Sequence, residues 1–95
     1  MSLKFAITAA RVSAAAGKLD QAKSTLVGAL GDATKNGYLG YEFEARLALG
    51  AIETRSSKGS GGHEHLRQLA RAAGAKDFRL IARDALEAAG DDPFN

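Results

Sequence analysis

At 95 residues, with no cysteine and a net charge of +2, the chain is bounded to a single small domain without a disulfide framework or a thiolate site. Residues 1–40 hold five Lys/Arg against two Asp, a surplus of +3, whereas residues 41–95 hold eight against nine Asp/Glu, or −1. That balance supplies no basic stripe for nucleic acid, and no apolar run is long enough to span a membrane. A soluble, cytoplasmic chain is the expectation.

Alanine is the commonest residue and aromatic content is 6%. Alanine helices pack closely but bury little area each, so the core is expected to lean on a few larger anchors. These are Phe5, Ile7, Val12, Leu26, Phe43, Leu47, Leu49, Ile52, Leu66, Leu69, Phe78 and Ile81.

The first segment, residues 3–16, reads as a helix with two apolar stripes. Leu3, Ile7, Ala10 and Ala14 share one face; Phe5, Ala9, Val12 and Ala16 repeat the spacing on the other, with Lys4, Thr8 and Arg11 between them. Helical spacing interrupted by Arg11 favours a folded helix over a signal peptide. Gly17 breaks it, and Asp20 is placed to cap or start a second helix, where a negative group suits the positive end of the dipole. Residues 20–35 carry a single stripe, Ala22, Leu26, Ala29, Leu30 and Ala33, and Asn36-Gly37 supplies a stop that can enter the left-handed region.

Residues 38–57 form the element on which the rest depends. At about 100° per residue, Phe43, Leu47, Gly50, Ala51 and Thr54 fall on one side and Ala45, Ala48, Leu49 and Ile52 on another. Narrow seams of Glu42/Arg46/Glu53 and Glu44/Arg55 separate the two. A helix on the outside of a globule needs one apolar stripe, and a helix with two is packed between neighbours. Tyr38 and Tyr41, at its start, are expected to pack against the second helix. The Ser/Gly-rich stretch Ser56–Gly62 reads as a flexible loop, with Ser60 placed to cap a fourth helix that turns Leu66, Leu69, Ala70 and Ala73 inward and ends at Gly74. Asp77 is placed to cap a fifth, with Phe78, Ile81, Ala85 and Ala88/Ala89 inward, ending at Gly90. Asp91–Asn95 reads as a loose tail, since Pro93 cannot continue a helix. With no alternating apolar/polar run, the fold class is all-α: antiparallel helical hairpins, about five helices, no strand.

Two units align at an offset of 40 residues: Ala9-Ala10 then Ala22, Leu26 and Ala29 in the first, Leu49-Gly50 then Gly62, Leu66 and Leu69 in the second. With glycine turns between paired helices, this pattern resembles the tetratricopeptide repeat, whose unit is about 34 residues. Leu49-Gly50 matches the family's Leu-Gly pair, and Ala22 and Gly62 match its small residue in the second helix. Neither unit opens with Trp, Ser13 and Glu53 stand at the usual aromatic position, and Gly74 replaces the closing proline. EARLALGAIE followed by LIARDALEAA is also similar to the C-terminal ends of large bacterial repeat-containing regulators. The resemblance implies a short stacked array in one domain over residues 1–95, with units at about 3–36 and 38–74, a capping helix at 77–90 and the tail 91–95. It further implies a protein–protein interaction module without catalytic activity, its partner a protein or peptide. The alternative is a structural domain that forms homodimers and terminates a larger regulator.

No metal or cofactor site is expected. In His63-Glu64-His65 the imidazoles at i and i+2 point about 200° apart on a helix and cannot share an ion, so they are assigned to a solvated first turn. Gly17–Ser24 mimics a phosphate loop but follows a helix, where such a loop follows a strand. Glu64, Arg67 and Arg71 form a ladder, continued by Lys76, Arg79 and Arg83. It reads first as a salt-bridged solvated face and second as a clamp for an acidic peptide or C-terminal carboxylate. Phe5, Ala9 and Val12 correspond to Ala45, Leu49 and Ile52 forty residues later but have no preceding unit to cover them, which makes them the candidate oligomer face.

Overall fold

The computed structural model describes residues 3–55 and 60–90. Most of the expected flexible loop (56–59) and the expected loose tail (91–95) lie outside the described residues. Five helices are present: α1 (Leu3–Ala15), α2 (Leu19–Asn36), α3 (Leu39–Arg55), α4 (Ser60–Ala75) and α5 (Arg79–Ala88). Each helix packs on the next in the chain, and α3 also touches both α1 and α5. The result is two layers, with α1, α3 and α5 side by side and α2 and α4 laid across the seams between them. The molecule is 18 Å thick in its thinnest direction, about two helix diameters.

The two apolar faces of α3 explain this arrangement. Ala45, Ala48, Leu49 and Ile52 are buried with Ile7, Ala10 and Ala14 of α1 and Ala22, Leu26 and Ala29 of α2. Phe43 is buried with Leu66, Leu69, Ala70 and Ala73 of α4 and Ala85 of α5, and Leu47 packs against that second cluster. Burial at both clusters, at roughly 25 cal/mol per Å² of apolar surface, holds α3 from two sides. Among the described residues no polar or charged side chain is buried, so the two clusters carry the fold. Phe5 and Val12, counted among the core anchors from spacing alone, are instead 70% and 65% exposed. The α1 stripe that points inward is Leu3/Ile7/Ala10/Ala14.

Three turns share one hydrogen-bond pattern twenty residues apart or a multiple of it. After α1, the Gly17 amide donates to Ala14 O at 3.0 Å and the Lys18 amide to Ser13 O at 2.9 Å. After α2, Gly37 donates to Thr34 O at 3.3 Å and Tyr38 to Ala33 O at 2.9 Å. After α4, Asp77 donates to Gly74 O at 3.1 Å and Phe78 to Ala73 O at 2.8 Å. Each is a Schellman motif, which needs its pivotal residue in the left-handed region: Gly17 (φ 87°), Gly37 (φ 73°) and Asp77 (φ 70°). The role expected of Asp77, capping α5, is therefore corrected. It closes α4, Phe78 stands at the N-cap of α5 without a side-chain cap, and α5 spans 79–88 where 77–90 was expected. Gly74 likewise sits within the last turn of α4. Asp20 lies in the first turn of α2, which begins one residue earlier, and Ser60 is the first residue of α4.

Two glycines set how closely α3 and α4 approach. A methyl group at Gly62 would lie 2.8 Å from the Thr54 amide nitrogen and 2.9 Å from Glu53 Cβ. One at Gly50 would lie 2.5 Å from Leu66 Cδ2. Gly50 thus faces its partner helix, as the repeat alignment implies.

Candidate interaction groove

Because α1, α3 and α5 lie in one layer, the residues on their outward-facing sides line a shared surface. Two depressions cross it. The larger, about 1050 Å³, runs between the N-terminal halves of α3 and α5 and is lined by Tyr38, Tyr41 and Glu44 on one wall and Phe78, Leu80, Ile81 and Asp84 on the other. The smaller, about 380 Å³, lies between α1 and α3, with Lys4, Ile7, Thr8 and Arg11 facing the same Tyr41 and Glu44. Tyr41 and Glu44 form a wall common to both, so the two depressions adjoin across three helices and are referred to together as the groove.

The walls are held in place from behind. Phe78 packs edge-on against buried Phe43, with centroids 5.3 Å apart at 85°, a favourable arrangement of ring quadrupoles. Tyr38 and Tyr41 meet edge-on at 6.4 Å. Tyr41 is half-buried against the first cluster, whereas Tyr38 is 53% exposed, and so is much of Leu80 at 67%. Packing of both tyrosines was expected; Tyr41 packs on the cluster shared by α1, α2 and α3, and Tyr38 remains largely exposed. An exposed aromatic and an exposed leucine thus lie on one surface depression.

The repeat places charge in the groove in register. Lys4, Glu44 and Asp84 are forty residues apart, occupy equivalent positions on successive helices of the layer, and all line the groove. The Glu44 carboxylate makes no hydrogen bond or ion pair among the described residues. Arg79, the groove's cation at the α5 end, lies 3.3 Å from Asp77 through Nε.

Of the five basic residues selected from sequence, only Arg79 lines this groove. Arg67 and Arg71 are exposed on α4, in the other layer, and Lys76 is exposed in the turn after it. Arg83 sits 3.8 Å from Asp84 and 3.9 Å from Glu87, a loose surface pairing worth little energy. Phe5, Ala9 and Val12 form an exposed apolar strip on α1. Tyr38, Glu44, Leu80 and Asp84 are not among the site residues expected from sequence; the same offset of 40 applied to polar positions points to Glu44 and Asp84, and no sequence signal points to Tyr38 or Leu80.

His63 is exposed near the start of α4, as expected, and in addition its Nδ1 donates to the Ala89 carbonyl at 2.7 Å, joining the start of α4 to the end of α5. His65 donates to Glu53 at 2.9 Å, tying α4 to α3. The two imidazoles thus have separate partners, and the described residues contain no cluster of His, Cys, Asp or Glu able to hold a metal. No helix among them is long and apolar enough to cross a membrane. Comparison with protein-family models, curated proteins and solved structures finds no significant match. The chain is a small all-α stack compatible with a helical repeat.

Proposed function

We propose that the chain is a protein–protein interaction module of tetratricopeptide-like helix pairs, and that the groove across α1, α3 and α5 receives a peptide or partner helix. The observation that carries this reading is the pair of adjoining depressions that share Tyr41 and Glu44 across the three helices. A surface built from equivalent positions of successive repeat helices gives an extended ligand repeated contacts, as in other peptide-recognition modes. The Leu49-Gly50 pair and the small residues Ala22 and Gly62 support the same reading, since they create the close packing on which such stacks depend.

Selection of displayed peptides on the immobilised chain tests it. Peptides retained by the native protein should be lost on Leu80→Asp or Tyr38→Ala, both at exposed positions where the fold should tolerate them. Retention by both variants would place the binding surface elsewhere.

A second reading is self-association through the strip Phe5, Ala9 and Val12. It is favoured by the fate of the corresponding α3 residues, since Ala45, Leu49 and Ile52 are all buried against the preceding hairpin. Light scattering across a concentration series separates the two readings: a dimer abolished by Val12→Asp supports the second, and a monomer throughout supports the first.

A further inference from the structure

We infer that the groove selects a cationic ligand: an extended peptide with basic side chains at the Glu44 and Asp84 positions and an acidic one at Lys4. This rests on the groove being a peptide receptor and adds the sign and order of charge that its occupant must carry.

The register Lys4–Glu44–Asp84 gives one charged side chain per helix of the layer, in the order plus, minus, minus. Arg11 reinforces the positive end beside Lys4. At the other end Asp77 and Arg79 lie 3.3 Å apart and largely offset each other, while Asp84 is only loosely paired with Arg83 at 3.8 Å. Glu44 lies at the centre of the groove, half-buried, with no partner for its carboxylate among the described residues. An anion partly withdrawn from water gains more from an arriving cation than a fully solvated one. Around it stand Tyr38, Tyr41 and Phe78. Aromatic faces attract a guanidinium or ammonium through the ring quadrupole, so carboxylates and aromatic walls favour the same ligand group. An acidic ligand would meet Glu44 and Asp84 instead, and like-charge juxtaposition disfavours it.

Spacing defines the ligand further. Packed helices lie about 8–10 Å apart, and an extended chain advances about 3.3 Å per residue. Charges on neighbouring helices are thus matched by ligand residues about three apart. The ligand pattern is acidic, then basic three residues on, then basic three residues further, with apolar residues between them to meet Tyr38, Phe78 and Leu80.

The probe is a seven-residue blocked peptide with aspartate first, arginine fourth and seventh, and alanine, leucine and phenylalanine between. Its control carries arginine first and glutamate fourth and seventh. The chain has two tyrosines and no tryptophan, and both tyrosines line the groove, so tyrosine emission reports on this site. The cationic peptide should bind at least about fivefold tighter than its charge-reversed control in low salt, and the preference should shrink as salt is raised. The pair Glu44→Gln and Asp84→Asn should weaken it by about tenfold. Glu64→Gln, on α4 outside the groove, should leave it unchanged. Equal binding of both peptides, or a preference for the reversed one, would overturn the charge assignment while leaving the groove a receptor. No response to either peptide would overturn both.

Discussion

The two hairpins, α1/α2 and α3/α4, solve the same problem with different residues. In the first, the small positions forty residues apart from Gly50 and Gly62 are Ala10 and Ala22, buried at 1% and 0% exposure. In the second they are glycines, and a methyl group at either would collide with the neighbouring helix. The large residue between them is the same, since Leu26 and Leu66 are both fully buried. The next pair is exchanged: Ala29-Leu30 in one hairpin, Leu69-Ala70 in the other. The first hairpin is thus spaced by alanine methyls, and the second is drawn in until backbone meets side chain. A mid-helix glycine costs roughly 1 kcal/mol relative to alanine; Gly50 is at such a position in α3, whereas Gly62 lies in the first turn of α4, and closer packing compensates for the former. The consequence is that the second half should resist added volume more strongly than the first.

The largest effect should come from the shared anchor. Leu66→Ala is expected to cost about 3 kcal/mol by urea unfolding, and Leu26→Ala about the same; a difference beyond 2 kcal/mol would break the equivalence of the two hairpins. Gly62→Ala comes next. Its methyl would meet the backbone at Thr54, which cannot rotate away, so a cost of about 2 kcal/mol is expected despite the gain in helix propensity. The converse change, Ala22→Gly, should cost only about 1 kcal/mol. Gly50→Ala meets a side chain instead and should cost about 1 kcal/mol, but much less in a Leu66→Ala background. A double-mutant cycle should return a coupling above about 0.5 kcal/mol. The smallest effect runs the other way. Asp77 holds the left-handed position that glycine fills at residues 17 and 37, so Asp77→Gly should raise stability by about 0.5–1 kcal/mol. No gain in the thermal midpoint would show that the side chain of Asp77 compensates for its backbone strain.

Much of this comparison was legible in the sequence. The two faces of α3, the inward stripes of α2 and α4 and the approach of Gly50 to its partner helix follow from 3.6-residue periodicity and one offset, because burial of apolar side chains is what those patterns record. The turn after α4 was misread because aspartate serves equally as an N-cap and as a tolerated left-handed residue. Composition favoured the first role, and the backbone takes the second. The exposure of His63 is legible, but its bond to a carbonyl 26 residues away is a contact that leaves no local pattern. The basic residues on α4 and α5 were conspicuous as a run, yet a run along the chain does not reveal which layer a helix joins. The groove residues were less conspicuous because a binding surface is read across helices, at positions 4, 44 and 84, and not along one.

Three surfaces therefore compete for the partner: the groove, the Arg67/Arg71/Lys76 side of α4 and the Phe5/Ala9/Val12 strip of α1. Amide chemical-shift mapping of the full chain during titration with peptides selected on the immobilised native protein compares them in one experiment. Shifts centred on Tyr38, Tyr41, Glu44, Leu80 and Asp84, with Arg67, Arg71 and Val12 unmoved, are the result expected here. Shifts centred on α4 or on the α1 strip, with the groove silent, would contradict it.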